Sequence, residues 1–302
     1  MFFIILIYFY NSILGRLYMK TGFIGLGNLG KTMAKRLISE GVDLMVWNRS
    51  KEKASDLGVD IADSPAALVS AADIIFINLF DSDAVRSVIT GRNGIIEGNI
   101  SGRIIIDTTT NHFNSVLSFH EIIGQHGGSY LEAPVLGSLV PASQGALTVL
   151  VSGPKDAFER ARPLLEKIGK NIFHLEEASL ATKMKLINNL ALGCFMAVLA
   201  EAIAFGEDAG IDKARVIEIL AAGAGNSGVL NAKKEKLLAE DFSPHFSSAL
   251  IYKDLHYLQD LARTLKRPLC TGSFVKELFG MAFPRGEEHL DFSAIYKIMK
   301  SF

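Results

Sequence analysis

Cysteine is scarce in this chain: two among 302 residues, Cys194 and Cys270, both in apolar, helix-patterned surroundings. That argues against a disulfide framework and points to a reducing compartment, so a cytoplasmic location is expected. No charge of one sign dominates. The formal net charge is -1 and the pI about 6.7. Without a basic stripe, nucleic acid is not an expected partner. No cysteine and histidine cluster has metal-ligand spacing, so no metal is expected. None of the seven histidines falls into a triad with a serine and an acid. Repeats and low-complexity segments are absent. The first ten residues, MFFIILIYFY, are apolar, but Asn11 and Ser12 interrupt them and Arg16 follows. This run is shorter than a bilayer requires and no basic segment precedes it. Residues 1–18 are therefore read as an extension outside the fold, with a membrane anchor as the weaker alternative and no membrane partner expected.

What the chain does have is concentrated in residues 20–49, KTGFIGLGNLGKTMAKRLISEGVDLMVWNR. Gly22 to Ile24 reads as a buried strand. Gly25-Leu26-Gly27-Asn28-Leu29-Gly30 follows as a G-x-G-x-x-G turn. Met33, Leu37 and Ile38 then mark one face of a helix, and Leu44 to Trp47 a second strand. A lone glycine triplet is weak, but strand, turn, helix and strand in succession make it a dinucleotide fingerprint. Gly25 permits the sharp turn, Gly27 lets a pyrophosphate approach the backbone, and Gly30 lets the helix pack closely. The helix start offers free N–H groups and partial positive charge to phosphates.

After the second strand stand Asn48, Arg49 and Ser50, with Lys51 and Lys53 beyond. A carboxylate there would hold a ribose 2′-hydroxyl; an arginine beside a hydroxyl suits a 2′-phosphate. NADP(H) is thus expected over NAD(H), the alternative being that Arg49 is a plain surface charge.

Strand and helix patterns alternate onward. A short helix is expected over 51–57, and another begins at Ser64-Pro65, a cap followed by proline in the first turn. Asp73 to Ile77 is an apolar strand whose end, Asn78-Leu79-Phe80-Asp81-Ser82, lies at the carboxyl edge where open sheets bind ligands. Ser82 is read as a helix cap. Further strands are expected at 103–106, 129–133, 147–151 and 171–174, with helices at 112–126 and 155–168. From Ser179 onward the pattern is helical: 179–209, 213–222, 229–239, 247–266, 271–283 and 291–300. The fold class is α/β: a Rossmann-type doubly wound sheet over 19–178, followed by an all-helical unit over 179–302.

On the long helix, Lys185 and Asn189 are four apart and share a face. A desolvated lysine there is suited to donate to a carbonyl oxygen and supply a proton. Spacing alone equally fits a lysine whose stem lies along the apolar surface.

Taken together, GFIGLGNLGKTMAKRL, WNRS, IDTTT, EAPVLGS with PASQGAL, KMKLINN, YKDL and LDFSAIYKIMK resemble the β-hydroxyacid dehydrogenase family, in order, from about Thr21 to Met299. The resemblance implies a catalytic Lys185 with Asn189 beside it. It implies that Thr110 and Lys253 touch the nicotinamide cofactor and that Phe246 and Asp254 border the site. The family loop V-S-G-G/S grips the substrate carboxylate; here it reads Val135-Leu136-Gly137-Ser138. Leu136 removes a hydroxyl, while the N–H groups of Gly137 and Ser138 still suit a carboxylate. Gly137-Ser138 and Pro141-Ala142, with Arg49, look most like the glyoxylate/succinic semialdehyde reductase branch. The implied substrate is a small carboxylate-bearing aldehyde or hydroxyacid, and the implied assembly a homodimer or homotetramer built through the helical unit. Leu199, Ile203 and Phe205 are candidates for that contact or for the core. Two alternatives remain open: an NAD-linked 3-hydroxyisobutyrate-type dehydrogenase, and a non-catalytic NADP-binding scaffold.

Overall fold

The computed structural model describes residues 19–302; the reading of 1–18 lies outside them. The described chain divides into two compact units, one ending at Thr182 and the other beginning at Lys183.

The first unit is built on β1 (Thr21–Ile24), β2 (Leu44–Trp47), β3 (Asp60–Ile61), β4 (Ile74–Ile77), β5 (Ile104–Asp107) and β6 (Ser129–Glu132). They form one sheet in the order β3-β2-β1-β4-β5-β6, with every pairing parallel. Helices α1 (Asn28–Ser39), α2 (Pro65–Ala71), α3 (Ser82–Thr90) and α4 (Phe113–Gln125) provide the crossovers. Both faces are covered, which is why β4 and β5 are continuous apolar runs rather than alternating ones. Successive side chains feed opposite cores. Phe23, Phe76, Ile104 and Ile106 join one cluster with Met33, Leu37 and Leu165. Ile24, Ile75, Ile77 and Ile105 join the other with Leu68, Val85 and Phe119. Each fully buried large side chain contributes roughly 1.5–3 kcal/mol, against about 0–1 kcal/mol for an exposed ion pair. The two-sided core therefore decides this fold, and the surface charges do not.

Several elements differ from expectation. Residues 51–57 give only a 3-10 turn, Lys51–Ala54, and the edge strand β3 has two exposed residues, too short to leave an apolar pattern. Ser82 is not the cap of α3. Asp81 takes that place, its Oδ1 accepting from the Ala84 N–H at 2.9 Å, while Ser82 Oγ accepts from the His112 N–H at 2.8 Å. Ser64 does cap α2, accepting from the Ala67 N–H at 3.0 Å. The later strands make a separate sheet: β7 (Val135–Leu136), β8 (Leu147–Val151) and β9 (Gly169–His174), ordered β7-β8-β9. Between them lie α5 (Leu139–Ser143) and α6 (Lys155–Ile168).

The second unit comprises most of α7 (Leu180–Asp208), then α8 (Lys213–Ala222), α9 (Gly228–Ala239), α10 (Ser248–Thr264), α11 (Cys270–Gly280) and α12 (Ile295–Met299). The expected helix over 291–300 begins as a 3-10 turn, Phe292–Ala294. α10 crosses α7 at Gly193, where an added Cβ would meet Leu255 at 3.4 Å and Ile251 at 3.5 Å. By length and composition α7 is apolar enough to cross a membrane. Its buried Asn189 instead donates to Asp254 of α10, the kind of partner a buried polar group in a core helix requires.

Candidate functional site

In the first unit the glycine turn is fixed by two close approaches. Gly25 has φ +99°, and a Cβ on it would strike the Asn78 carbonyl oxygen at 2.1 Å. A Cβ on Gly30 would strike the Gly25 carbonyl oxygen at 2.1 Å, whereas one on Gly27 would meet nothing within 4 Å. Gly27 thus faces open space at the head of α1. It is the N-cap, with no capping side chain and no acid in the first turn. A helix start of this kind carries the partial positive charge that favours an anion.

Asn48 serves the turn itself. Its Oδ1 accepts from the Leu26 N–H at 2.8 Å, and its Nδ2 donates to the Ser50 carbonyl at 2.9 Å. Leu26 is buried in the core beneath, so it shapes the turn and offers neither side chain nor N–H to a ligand. Leu29 also packs against that core, and Asn28 opens α1 with an exposed side chain. Arg49 is exposed. No carboxylate stands at the end of β2, the position that would select a ribose 2′-hydroxyl.

The carboxyl ends of β4 and β5 are tied together by hydroxyls. Thr108 Oγ1 donates to the Ile77 carbonyl at 2.7 Å and accepts from Asn78 Nδ2 at 3.0 Å. Thr109 Oγ1 accepts from the Leu79 N–H at 3.0 Å. Thr110 follows as the less buried residue of the three. Beneath them lies Asp107, wholly buried, which sequence reasoning leaves out. Burial pushes its carboxyl up, against hydrogen bonds from Thr109, Tyr130 and Asn111. Glu132, also missed, is 1% exposed. Its Oε2 accepts from the Thr182 N–H at 3.1 Å and from the Thr182 hydroxyl, while Ser152 Oγ accepts from the Ala181 N–H at 3.0 Å. The first N–H groups of α7 are thereby satisfied. Burial, the larger effect, raises the Glu132 carboxyl to about 7 against the Thr182 bonds. The sequence signal for both acids is the same: an ionisable residue ending an otherwise apolar strand.

The loop after β6 contains Leu136, Gly137 and Ser138. Leu136 ends β7, Gly137 is exposed with φ +116°, and Ser138 precedes α5 without a side-chain cap bond. The Ser138 hydroxyl is therefore not consumed in capping that helix.

The second unit brings together four of the residues singled out. Lys185 is 8% exposed, and Asn189 and Asp254 less so. Asn189 Nδ2 donates to Asp254 Oδ2 at 2.6 Å, and Lys253 Nζ pairs with Asp254 Oδ1 at 2.8 Å. The Lys253 ammonium also stands 4.8 Å from the Tyr257 ring centroid. Burial lowers Lys185 to about 8; Asp254 opposes that shift and Lys253 adds to it. Phe246 belongs to a different network. Its N–H donates to Asp291 Oδ2 at 3.2 Å, and its ring meets Phe292 edge-on at 5.6 Å. Asp291 also holds Lys233 Nζ at 2.8 Å.

A parallel sheet whose first crossover helix starts on an uncapped glycine defines a dinucleotide-binding protein, here continued by a helical unit carrying a buried lysine. Comparison with known proteins agrees. A family model for the NAD binding domain of 6-phosphogluconate dehydrogenase matches residues 20–176. A second, for the NAD-binding of NADP-dependent 3-hydroxyisobutyrate dehydrogenase, matches residues 180–299. Glyoxylate/succinic semialdehyde reductase 2, chloroplastic, of Arabidopsis thaliana is 32% identical over 283 residues, spanning 93% of this chain and 79% of its own. A crystal structure of 3-hydroxyisobutyrate dehydrogenase from Salmonella typhimurium has TM-score 0.86 and 25% identity, covering 93% of this chain and all of that one. The structure of Psf3 in complex with NADP+ and 2-OPP has TM-score 0.86 and 27% identity, covering 92% and 99%. The chain belongs to the β-hydroxyacid dehydrogenase family. It is an NAD(P)-dependent oxidoreductase of the hydroxyacid dehydrogenase/reductase type, which sets aside the non-catalytic scaffold.

Proposed function

We propose that this enzyme uses NADPH to reduce a small aldehyde acid, of the glyoxylate or succinic semialdehyde type, to its hydroxyacid. The observation that carries the reading is Lys185: a buried ammonium brought to about 8 by burial, on the same helix as an Asn189 bonded to Asp254. A general acid works best with its pKa near the working pH.

NADPH, when bound, supplies a hydride to the carbonyl carbon. Lys185 donates its proton to the oxygen as negative charge develops there. Asn189 and Asp254 keep the ammonium oriented and charged. The N–H groups of Gly137 and Ser138 take the substrate carboxylate, and Leu136 replaces a polar contact with an apolar one. Thr110, Leu79 and Lys253 contact the cofactor, and Phe246 borders the substrate. The uncapped start of α1 holds the pyrophosphate, and Arg49 with Ser50 takes the 2′-phosphate. The absent carboxylate after β2 and the NADP+ in the Psf3 structure support that cofactor preference.

A second reading is oxidation of a 3-hydroxyacid with NAD; the Salmonella typhimurium relative's name supports the hydroxyacid dehydrogenase part of it. A lysine near pH 8 is also competent as a base. A screen of NADPH consumption over glyoxylate, succinic semialdehyde, tartronate semialdehyde and methylmalonate semialdehyde tests the first reading. Turnover of one of the first two is expected. Faster oxidation of hydroxyacids with NAD at neutral pH, with no aldehyde reduced, would replace it by the second.

A further inference from the structure

We infer that Asp107 and Thr109 act as cofactor-positioning residues: Asp107 anchors the Thr109 backbone, and the Thr109 hydroxyl fixes the backbone of Leu79 at the end of the neighbouring strand. The inference rests on the proposed reading that Leu79 and Thr110 contact the dinucleotide.

The chain of contacts is continuous. The Leu79 N–H donates to Thr109 Oγ1 at 3.0 Å. Thr109 also donates its N–H to Asp107 Oδ1 at 2.9 Å. The other oxygen, Oδ2, accepts from Tyr130 Oη at 2.6 Å and Asn111 Nδ2 at 2.8 Å. Asp107, Thr109 and Asn111 are each at most 2% exposed, and Tyr130 is 1% exposed. A carboxylate supplies only acceptors, and every neighbour here is a donor. The turn is therefore held from both sides, by its own backbone and by a side chain of β6.

Burying a charged group solely for the sheet would be wasteful, since an apolar residue at this strand end costs nothing in desolvation. The site makes sense if the 108–110 turn must hold one shape. Residues 78–79 and 108–110 lie at the carboxyl edges of adjacent parallel strands, where open α/β sheets bind ligands. Hydroxyls that fix the turn from below set the position of the backbone a cofactor would meet.

Thr109→Val keeps the volume and removes the hydroxyl, leaving the Leu79 N–H unpaired; Thr109→Ser restores it. In the full chain, NADPH titrated by fluorescence is expected to bind roughly tenfold more weakly to Thr109→Val, one buried bond being worth about that factor. Asp107→Asn should weaken it similarly, with Thr109→Ser within about twofold of the parent. The KM for NADPH should rise in both weakened variants and the aldehyde KM should hold. A melting temperature lowered without weaker NADPH binding well below that temperature would leave only a structural role and overturn the proposal. Thr110→Val separates the two readings. If it weakens NADPH while Thr109→Val and Asp107→Asn do not, the positioning role fails alone. If none of the three matters, the contact reading fails as well.

Discussion

Asn189 Nδ2 donates to Asp254 Oδ2 at 2.6 Å, joining α7 to α10 one turn from the close crossing at Gly193. This bond keeps a buried carboxylate beside the helix face that carries Lys185. Asp254 raises the Lys185 pKa, which burial has driven down to about 8. On the proposed role, reduction needs the ammonium, so kcat/KM for the aldehyde holds below about pH 8 and falls as the pH rises through it. Asp254→Asn removes the supporting charge and should move that falling limb to lower pH. The check is kcat/KM against pH for both proteins; coincident limbs would show that Lys185 is not the titrating acid.

Lys185→Met tests the same group without opening a cavity. Turnover should drop roughly 10²–10⁴-fold, the range for losing a positioned acid. Thermal stability should hold or rise, because a methionine carries no desolvation cost. Near-parental turnover would refute the role.

How much of this was legible beforehand depends on the physics of each part. The glycine turn was readable because Gly25 and Gly30 leave no room for a Cβ, a constraint written directly in residue identity. The apolar runs of β4 and β5 were readable because both faces of the sheet are covered. Lys185 and Asn189 were readable as a shared face, but their partner Asp254 lies 65 positions beyond Asn189, and helix spacing says nothing across such a gap. Asp107 and Glu132 escaped because a strand-ending acid looks like a surface residue until the covering elements are known. The split into two sheets escaped because β7 has only two residues, below the length at which alternation carries information. Asn48 braces the turn's backbone with one bond to Leu26 and one to Ser50, partners that strand and helix spacing do not reveal.

Arg49 is expected to set the cofactor preference. Arg49→Gln should weaken NADPH roughly tenfold, as loss of one charge-assisted contact does, and leave NADH almost unchanged. Titration of each cofactor by fluorescence checks this, and equal losses for both would show that the guanidinium reads no 2′-phosphate.

Glu132 makes stability depend on pH. Its folded value, about 7, lies above the ordinary 4.5, so the protonated form is favoured by folding. The contribution is fully present below about pH 4.5 and is lost as the pH rises through about 7. Glu132→Gln removes that component while an amide oxygen can still accept from Thr182. Melting temperatures between pH 4.5 and 8 should decline more for the parent than for the variant. Parallel curves would show that Glu132 stays ionised throughout.

The exposed side of α7 bears on assembly. Leu199 and Ile203 are buried, so within the chain they serve the core. Val198 and Phe205 are 62% and 72% exposed, in line with Met184, Ile187 and Phe195. The steps 184, 187, 191, 195, 198, 202, 205 are each three or four, an average of 3.5 suited to a helix packing against another helix. Alanines at 191 and 202 stand between the large residues, leaving room for a partner's side chains. This stripe supports the proposed homo-oligomer, with a second copy laying the same face against it in two-fold fashion. Phe205→Glu and Val198→Glu lie on the surface and should leave the fold intact. Their double variant should lower the mass measured by light scattering towards that of one chain. An unchanged mass would assign the contact to another face, and a parent protein already at one chain would end the oligomer proposal.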